Sequence, residues 1–298
     1  MSDRLPSEES QIKFLKILCC PDCYNSLSED NECKSCLKVY PEYGGVVAPI
    51  SDTILQKEIK HTFILKKTLK DKIKNNIPMP DERVWSPKAK KLIKSILIEK
   101  NPDSPNTYVV NMGSGVESFY KKIFSSFKSL IRIGIPHSGY VNAYGDAMAL
   151  PLKSDSVDLF ISSSVIEHLS NPEKAVSELF RTVKPGGLVY AEIPFIGAYH
   201  MAPNDYQRYT ISGIEALFSR HGFFLENKGI CSGPVTALVL LIQHAIVEAM
   251  PIGSVQFLLR VILTWVFHPL KYLDYFFSRL KWGEYLACNF FYLGRKPT

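Results

Sequence analysis

Apolar residues along this chain fall into two kinds of run. Between Tyr108 and Gly229, short continuous apolar segments alternate with stretches whose apolar positions recur every three or four residues. Tyr108-Val-Val, Leu130-Ile-Arg-Ile-Gly-Ile, Val157-Asp-Leu-Phe-Ile-Ser and Gly187-Leu-Val-Tyr-Ala-Glu-Ile predict buried strands bounded by turn residues. Pro172 to Val183 predicts a helix, with Asn171 as N-cap, Pro172 in the first turn, and Pro185-Gly186-Gly187 beyond its end. A second helix is expected from about Ser212 to His221. Strand, helix and strand in repetition predict a parallel sheet covered by helices on both faces.

The pattern changes between Pro234 and Leu280, which is apolar almost throughout. Neither Gly229–Val247 nor Val261–Leu270 contains a Lys, Arg, Asp or Glu. The 19 residues of the first run approach the roughly 20 needed to span a bilayer. Gln243 and His244 lie inside it, however, and Pro234, Pro251 and Gly253 interrupt the wider region. Trp265, Tyr272, Tyr275 and Trp282 mixed with Lys271, Arg279 and Lys281 favour helices lying at a membrane interface or lining a substrate tunnel. Packing on the core or across a homodimer ranks next, and a true span last. Ala287-Cys-Asn-Phe-Phe-Tyr-Leu-Gly then predicts a closing strand.

Composition adds little until it is localised. The chain has 298 residues, 46% of them hydrophobic, enough for a sizeable core. Its net charge of +6 is gathered in Lys57–Lys100, where 13 Lys/Arg face 5 acids. Ser51 to Pro105 is therefore expected to be a basic helical connector, broken at Pro78 and Pro80. The N-terminus is polar and carries no apolar signal core, which points to a reducing, cytoplasmic setting with peripheral membrane contact.

In that setting, paired cysteines suggest a metal before a disulfide. Cys20-Pro-Asp-Cys23 and Cys33-Lys-Ser-Cys36 are two knuckles nine residues apart, a spacing that lets four thiolates surround Zn²⁺. Four sulfur ligands leave no open position for substrate, so the expected role is structural. Cys19 is a bystander, since a fifth thiolate would overfill the site. Leu15-Lys-Ile-Leu-Cys-Cys-Pro-Asp-Cys, the second knuckle and Val39-Tyr-Pro-Glu-Tyr-Gly-Gly resemble the small zinc-ribbon proteins that partner tRNA, rRNA and protein methyltransferases. That resemblance covers residues 1–50 and implies a fused stabilising or substrate-presenting module.

Val109-Val-Asn-Met-Gly-Ser-Gly stands where an apolar strand should turn into a helix, and glycines there let the backbone approach a ligand. Alone, this is a weak signal. Three further segments follow in order: Ala143-Tyr-Gly-Asp-Ala-Met-Ala-Leu-Pro-Leu, Ser156-Val-Asp-Leu-Phe-Ile-Ser-Ser-Ser-Val-Ile-Glu-His-Leu and Leu179-Phe-Arg-Thr-Val-Lys-Pro-Gly-Gly-Leu-Val. Together they closely resemble the small-molecule (ubiquinone- and biotin-synthesis-like) branch of class I S-adenosylmethionine-dependent methyltransferases. The resemblance spans Tyr108 to Phe195 and implies an α/β, Rossmann-like, seven-stranded sheet in residues 106–298. On this reading the ribbon precedes that domain, and residues 234–282 form an apolar helical insertion within it.

By position, the resemblance implies that Asn111, Gly113, Ser114 and Gly115 form the loop under the methionine part of S-adenosylmethionine. Asp146 would accept from the adenine amino group, beside the Ala147 amide, and Ser162 and Ser163 would line the pocket near the methyl group. For Asp146 the competing reading is a turn-stabilising aspartate. For Glu167 and His168, a capping or orienting role competes on equal terms. Three departures stand out: Asn111 replaces the usual acid, Glu117 replaces a third glycine, and Pro136 or His137 stands where a carboxylate usually holds the ribose. Charged hydrogen bonds contribute roughly 1.5–3 kcal/mol each, so loss of that carboxylate weakens cofactor grip unless another group substitutes.

Tyr199-His-Met-Ala-Pro-Asn-Asp-Tyr-Gln-Arg-Tyr-Thr resembles a segment of methyltransferases from cell-surface glycan and lipid biosynthesis. His200 or Asp205 then becomes a candidate base, with Arg208 as an anion holder, while an Asp205–Arg208 ion pair that only orders the loop is equally open. The expected function is methyl transfer to a small, lipid-linked or glycan acceptor at a membrane surface. A nucleic-acid or translation-factor methyltransferase is the rival enzyme; the basic connector supports it, but no aromatic-interleaved basic motif does. A non-catalytic binding module is the third reading.

Overall fold

The computed structural model describes residues 7–43, 46–50, 83–113, 124, 126–134, 141–200 and 204–298. Ser114, Gly115, Glu117, Pro136, His137 and most of the 51–105 connector lie outside the described residues.

The chain opens with helix α1 (Glu8–Ile17), capped by the Ser7 side chain, followed by four two-residue strands: β1 (Glu32–Cys33), β2 (Lys38–Val39), β3 (Glu42–Tyr43) and β4 (Val46–Val47). Helix α2 (Pro87–Lys100) starts at the Ser86 cap and ends at Asn101 in the left-handed region. Then come β5 (Val109–Met112), β6 (Ile131–Gly134), β7 (Ala143–Tyr144) and β8 (Val157–Ser163). Helix α3 (Pro172–Thr182) begins as its sequence predicts, the Asn171 side chain accepting from the Lys174 amide. It leads into β9 (Val183–Pro194), α4 (Ile211–Arg220) and β10 (Phe224–Ser232). The apolar region forms α5 (Pro234–Glu248), α6 (Gly253–Lys271) and α7 (Asp274–Phe277), and β11 (Asn289–Arg295) closes the chain.

The main sheet has nine strands rather than the expected seven, in the order β10-β11-β9-β8-β5-β6-β7-β4-β3. The two extra strands come from the cysteine-bearing segment: β4 pairs parallel with β7 (Val47 opposite Ala143), and β3 pairs antiparallel with β4. The edge of β7 is thus covered by the chain's own N-terminal segment, as edge strands require. From β9 through β5 to β4 the pairing is parallel, while β11 runs antiparallel to both its neighbours.

Both faces are packed. Phe14, Ile17 and Leu18 of the α1 segment join Val110, Met112, Phe160, Leu179 and Phe218 in one buried cluster, which also takes in Cys20 and Cys33. On the other face α2 lays Ala89, Ile93, Ile96 and Leu97 over Val109, Leu159, Ile161 and Tyr190. Burying each such side chain is favourable by about 1.5–3 kcal/mol, so the N-terminal segment is fastened to the sheet rather than tethered beside it. Among the described residues, one helix (Gly253–Lys271) is long and apolar enough to cross a membrane by length and composition.

Candidate functional site

Parallel strands deliver their carboxyl ends to one edge of the sheet, where open α/β folds bind ligands. Asn111, Gly113, Asp146, Ala147, Ser162 and Ser163 all arrive there. Gly113 adopts φ +70°, and a Cβ on it would stand 2.1 Å from Val165 Cγ2, so only glycine fits. The Asp146 carboxylate accepts from the Met148 amide at 2.8 Å, which closes a tight turn and sets the direction of the loop after β7. Asn111 Oδ1 and Ser162 Oγ are buried and find no hydrogen-bond partner among the described residues. Orphaned polar atoms of this kind are costly unless something else occupies them.

Beside Ser162, a second polar group lies under the sheet edge. Ser163 Oγ donates to Glu192 Oε2 at 2.9 Å, and the Tyr190 hydroxyl donates to Glu192 Oε1 at 2.7 Å. Arg83 Nη1 donates to Ser164 Oγ at 3.0 Å. Ser163 is therefore held by Glu192 instead of pointing free into a pocket. Glu192, Tyr190 and Arg83 escaped the sequence reading because the group forms only when β8 and β9 pair and Arg83 reaches Ser164, 81 residues away.

A third group surrounds the loop after β9. Glu167 is fully buried on the short 3₁₀ turn Ile166–His168, and neither carboxylate oxygen has a hydrogen-bond partner among the described residues. Burial raises its pKa to about 7 against the opposing pull of Arg83 and Arg208. His168 Nδ1 bonds the Asn204 carbonyl at 2.5 Å, which places its proton on that nitrogen and leaves Nε2 facing Glu167 Oε1 at 3.7 Å. Its ring meets His200 edge-on, with centroids 5.0 Å apart.

Asp205 is engaged by both guanidinium nitrogens of Arg208, Nη2 lying 2.6 Å from Oδ2, and it also accepts from the His200 amide at 2.9 Å. Arg208 holds the Asp205 carboxyl down at about 2. A carboxylate so paired is a poor proton acceptor near neutrality, so its geometry is that of a loop clamp. The His200 side chain is 45% exposed, and its Nδ1 lies 3.3 Å from Arg208 Nη2. Of the three residues singled out from the sequence, His200 alone presents a ring to the outside.

The four knuckle cysteines form a separate cluster in the N-terminal segment, with Cys20 and Cys33 buried in the main core. Sγ atoms of Cys20, Cys23, Cys33 and Cys36 all lie within 4.8 Å of one another. Each knuckle is closed the same way: the Tyr24 amide donates to the Cys20 carbonyl at 2.8 Å, and the Leu37 amide to the Cys33 carbonyl at 2.7 Å. Tyr24 and Leu37 both take positive φ, 61° and 57°. Thiolates at about 2.3 Å from one ion sit some 3.8 Å apart in a tetrahedron, and this donor set fits Zn²⁺. Cys19 is buried away from the cluster, and burial pushes its thiol up to about 12.

Residues 130–191 match the family described as a methyltransferase domain. An uncharacterized methyltransferase of Mycobacterium bovis is 52% identical over 50 residues, 17% of this chain and 19% of that protein. The ubiquinone/menaquinone biosynthesis C-methyltransferase UbiE of Ruegeria sp. is 32% identical over 79 residues, 26% of this chain and 27% of its own. The chain thus spans about a fifth to a quarter of the length of these curated relatives. Among solved structures, a Haemonchus contortus phosphoethanolamine N-methyltransferase 2 with S-adenosyl-L-methionine aligns over 70% of this chain and 53% of its own, at TM-score 0.42 and 16% identity. A SAM-dependent methyltransferase from Archaeoglobus fulgidus aligns over 70% of this chain and 94% of its own, at TM-score 0.41 and 14% identity. The match to the methyltransferase domain thus runs from β6 into β9, inside the nine-stranded α/β sheet.

Proposed function

We propose that the protein is an S-adenosylmethionine-dependent methyltransferase acting on a hydroxyl of a lipid-linked or glycan acceptor at a membrane surface. The observation that carries this reading is the sheet edge itself, where Gly113 without a Cβ, the Asp146 turn and the orphaned Asn111 Oδ1 and Ser162 Oγ come together. Gly113 lies on that edge with Val165 filling the place of a side chain, Asp146 and the Ala147 amide would take an adenine edge, and Asn111 and Ser162 offer polar atoms that find no partner among the described residues. The cofactor, when bound, supplies an electrophilic methyl group. The chain's own work is then to orient an acceptor and to receive its proton, and His200 is the exposed base for that proton. Asp205 and Arg208 fix the loop on which His200 stands, since positioning alone can supply several kcal/mol. The acceptor class rests on the resemblance of the His200–Thr210 segment and on the apolar helices. Those helices leave and rejoin the sheet at this same edge, where Ser232 pairs with Asn289 and Asn289 with Pro194. The four cysteines would hold a structural Zn²⁺ with no open position for the acceptor.

Titration calorimetry with S-adenosylmethionine and S-adenosylhomocysteine tests the reading. Saturable binding is expected, weakened at least tenfold in Asp146→Ala. Absence of heat at millimolar cofactor would leave a non-catalytic binding module.

A further inference from the structure

The α5–α6 hairpin is built inside out. On α5 the exposed residues Leu238, Leu241, Ile242 and Ile246 share one face, and on α6 so do Val255, Leu258, Ile262 and Trp265. The seam between the helices is where the polar groups lie: Gln243 Nε2 donates to Thr264 Oγ1 at 2.5 Å and to the Arg260 carbonyl at 3.3 Å. At the base of α5, the fully buried Asp274 accepts from the amides of Val235 at 2.9 Å and Thr236 at 2.8 Å. A surface helix in water normally turns its apolar stripe inward and its polar face out. Here the order is reversed, and the apolar face runs on through Tyr272, Leu273 and Phe276 to Trp282 and Tyr285. An exposed patch of this extent marks an interaction surface.

What covers it is indicated by the cavity at its border. A cavity of about 410 Å³ opens between the start of α2, the middle of β10 and the chain after α7. Lys88, Lys228, Arg279 and Lys281 line it, against Glu284 as the only acid of the lining. Lys228 is paired with Glu215, and Lys88 donates to the Lys228 carbonyl at 2.9 Å. Arg279 and Lys281 form no ion pair among the described residues. A second copy of the chain, packed face to face by two-fold symmetry, would bring an identical positive border against this one. An anionic lipid surface offers hydrocarbon to the apolar face and phosphate to the cations at its rim.

We propose that the α5–α7 face docks on an anionic lipid bilayer and that the Lys88–Lys228–Arg279–Lys281 cavity takes the phosphate of a lipid headgroup. This rests on the membrane clause of the proposed function and deepens it, because the docked face adjoins the sheet edge that carries the candidate site. A lipid-borne acceptor then reaches His200 without leaving the membrane plane.

The test is co-sedimentation of the full chain with phosphatidylcholine vesicles, with and without phosphatidylglycerol, alongside calorimetry with S-adenosylhomocysteine on the same preparations. Binding to the anionic vesicles is expected, weakened about tenfold or more in Arg279→Glu/Lys281→Glu. Leu258→Ser/Ile262→Ser should weaken it too, with cofactor heats unchanged in both variants. Equal sedimentation of the charge-reversed and parent proteins would overturn the headgroup site. Release from vesicles by millimolar inorganic phosphate would reassign the cavity to a free phosphate. A dimer that Leu258→Ser/Ile262→Ser converts to monomer, with no vesicle binding, would give the face to a second copy. A parent protein that binds no vesicles while its cofactor heats are intact defeats this inference alone, whereas a parent that binds vesicles but gives no cofactor heats defeats only the transferase reading.

Discussion

The guanidinium of Arg181 lies 3.9 Å from the centre of the Tyr24 ring, joining the first cysteine knuckle to helix α3. The Tyr24 hydroxyl donates to Glu178 Oε1 at 3.3 Å, while Arg181 Nη2 donates to Glu178 Oε2 at 2.7 Å. The same two side chains reach the loop that follows Asp146: the Leu150 amide donates to Glu178 at 2.8 Å, and Arg181 donates to the carbonyls of Leu150 at 3.0 Å and Leu152 at 2.7 Å. From the other side, the Cys19 amide donates to the Pro151 carbonyl at 3.0 Å. The knuckle therefore braces the loop that follows the Asp146 turn.

Replacing Tyr24 by Ala should destabilise the fold by about 1–2 kcal/mol, combining a cation–π contact with a half-buried hydrogen bond. Tyr24→Phe keeps the ring and should cost under about 1 kcal/mol. A urea-denaturation cycle of Tyr24→Ala with Arg181→Ala is expected to show a coupling of about 1 kcal/mol. Additive losses would mean that the contact contributes nothing.

The cysteine cluster gives a sharper contrast. Cys33 is buried in the main core as well as facing the other three sulfurs, so Cys33→Ser should abolish retention of one zinc per chain and lower the melting temperature. Cys19→Ser lies outside the cluster and should leave metal content unchanged. Elemental analysis of the purified proteins reads both outcomes, and equal zinc in the two variants would refute the assignment.

His200 and Asp205 should separate kinetically. His200→Ala is expected to lower kcat by about 10²–10⁴ with cofactor affinity unchanged, the usual contribution of a positioned base. Asp205→Asn removes the clamp on Arg208 and should raise KM while kcat falls less. Steady-state kinetics with a hydroxyl acceptor checks this. A larger kcat loss in Asp205→Asn than in His200→Ala would transfer the base role to Asp205.

Much of this was legible where the signal is local. The Asn171 cap, the paired knuckles and the apolar runs of β5, β6, β8, β9 and β11 can be read because a few neighbouring residues determine them. What escaped depends on distant partners. Nothing in Val46–Val47 announces a strand, and it becomes one because the β7 edge at Ala143 needs covering. β10 carries Glu226, Asn227 and Lys228 and shows no clean alternation; its pairing with β11 is what makes it a strand. Glu192 lies in a strand read as buried, and its partners, Tyr190 two residues earlier on the same strand face and Ser163 across the ladder, emerge only once β8 and β9 pair. For Asp146 the turn is plain in the structure, and a turn aspartate and an adenine-facing one are compatible.

Glu167 sets a pH dependence whose sign is fixed by burial. Its pKa stands at about 7 in the folded chain and near the ordinary carboxyl range, about 4.3, when unfolded, so between those values the folded state binds the extra proton. Stability therefore falls as pH rises through that window, and the penalty is fully present above it. The facing groups do not reverse this: Arg83 and Arg208 pull the pKa down, Asp205 pushes it up, and His168 is itself held low by its burial. Glu167→Gln keeps the shape and removes the charge. It should be more stable than the parent at about pH 8, by up to roughly 4 kcal/mol at about 1.36 kcal/mol per pKa unit, and nearly equal to it at about pH 4. Denaturant melts across that range measure the difference. Parallel pH profiles for the two proteins would show that Glu167 keeps an ordinary pKa, and with it a partner for its charge.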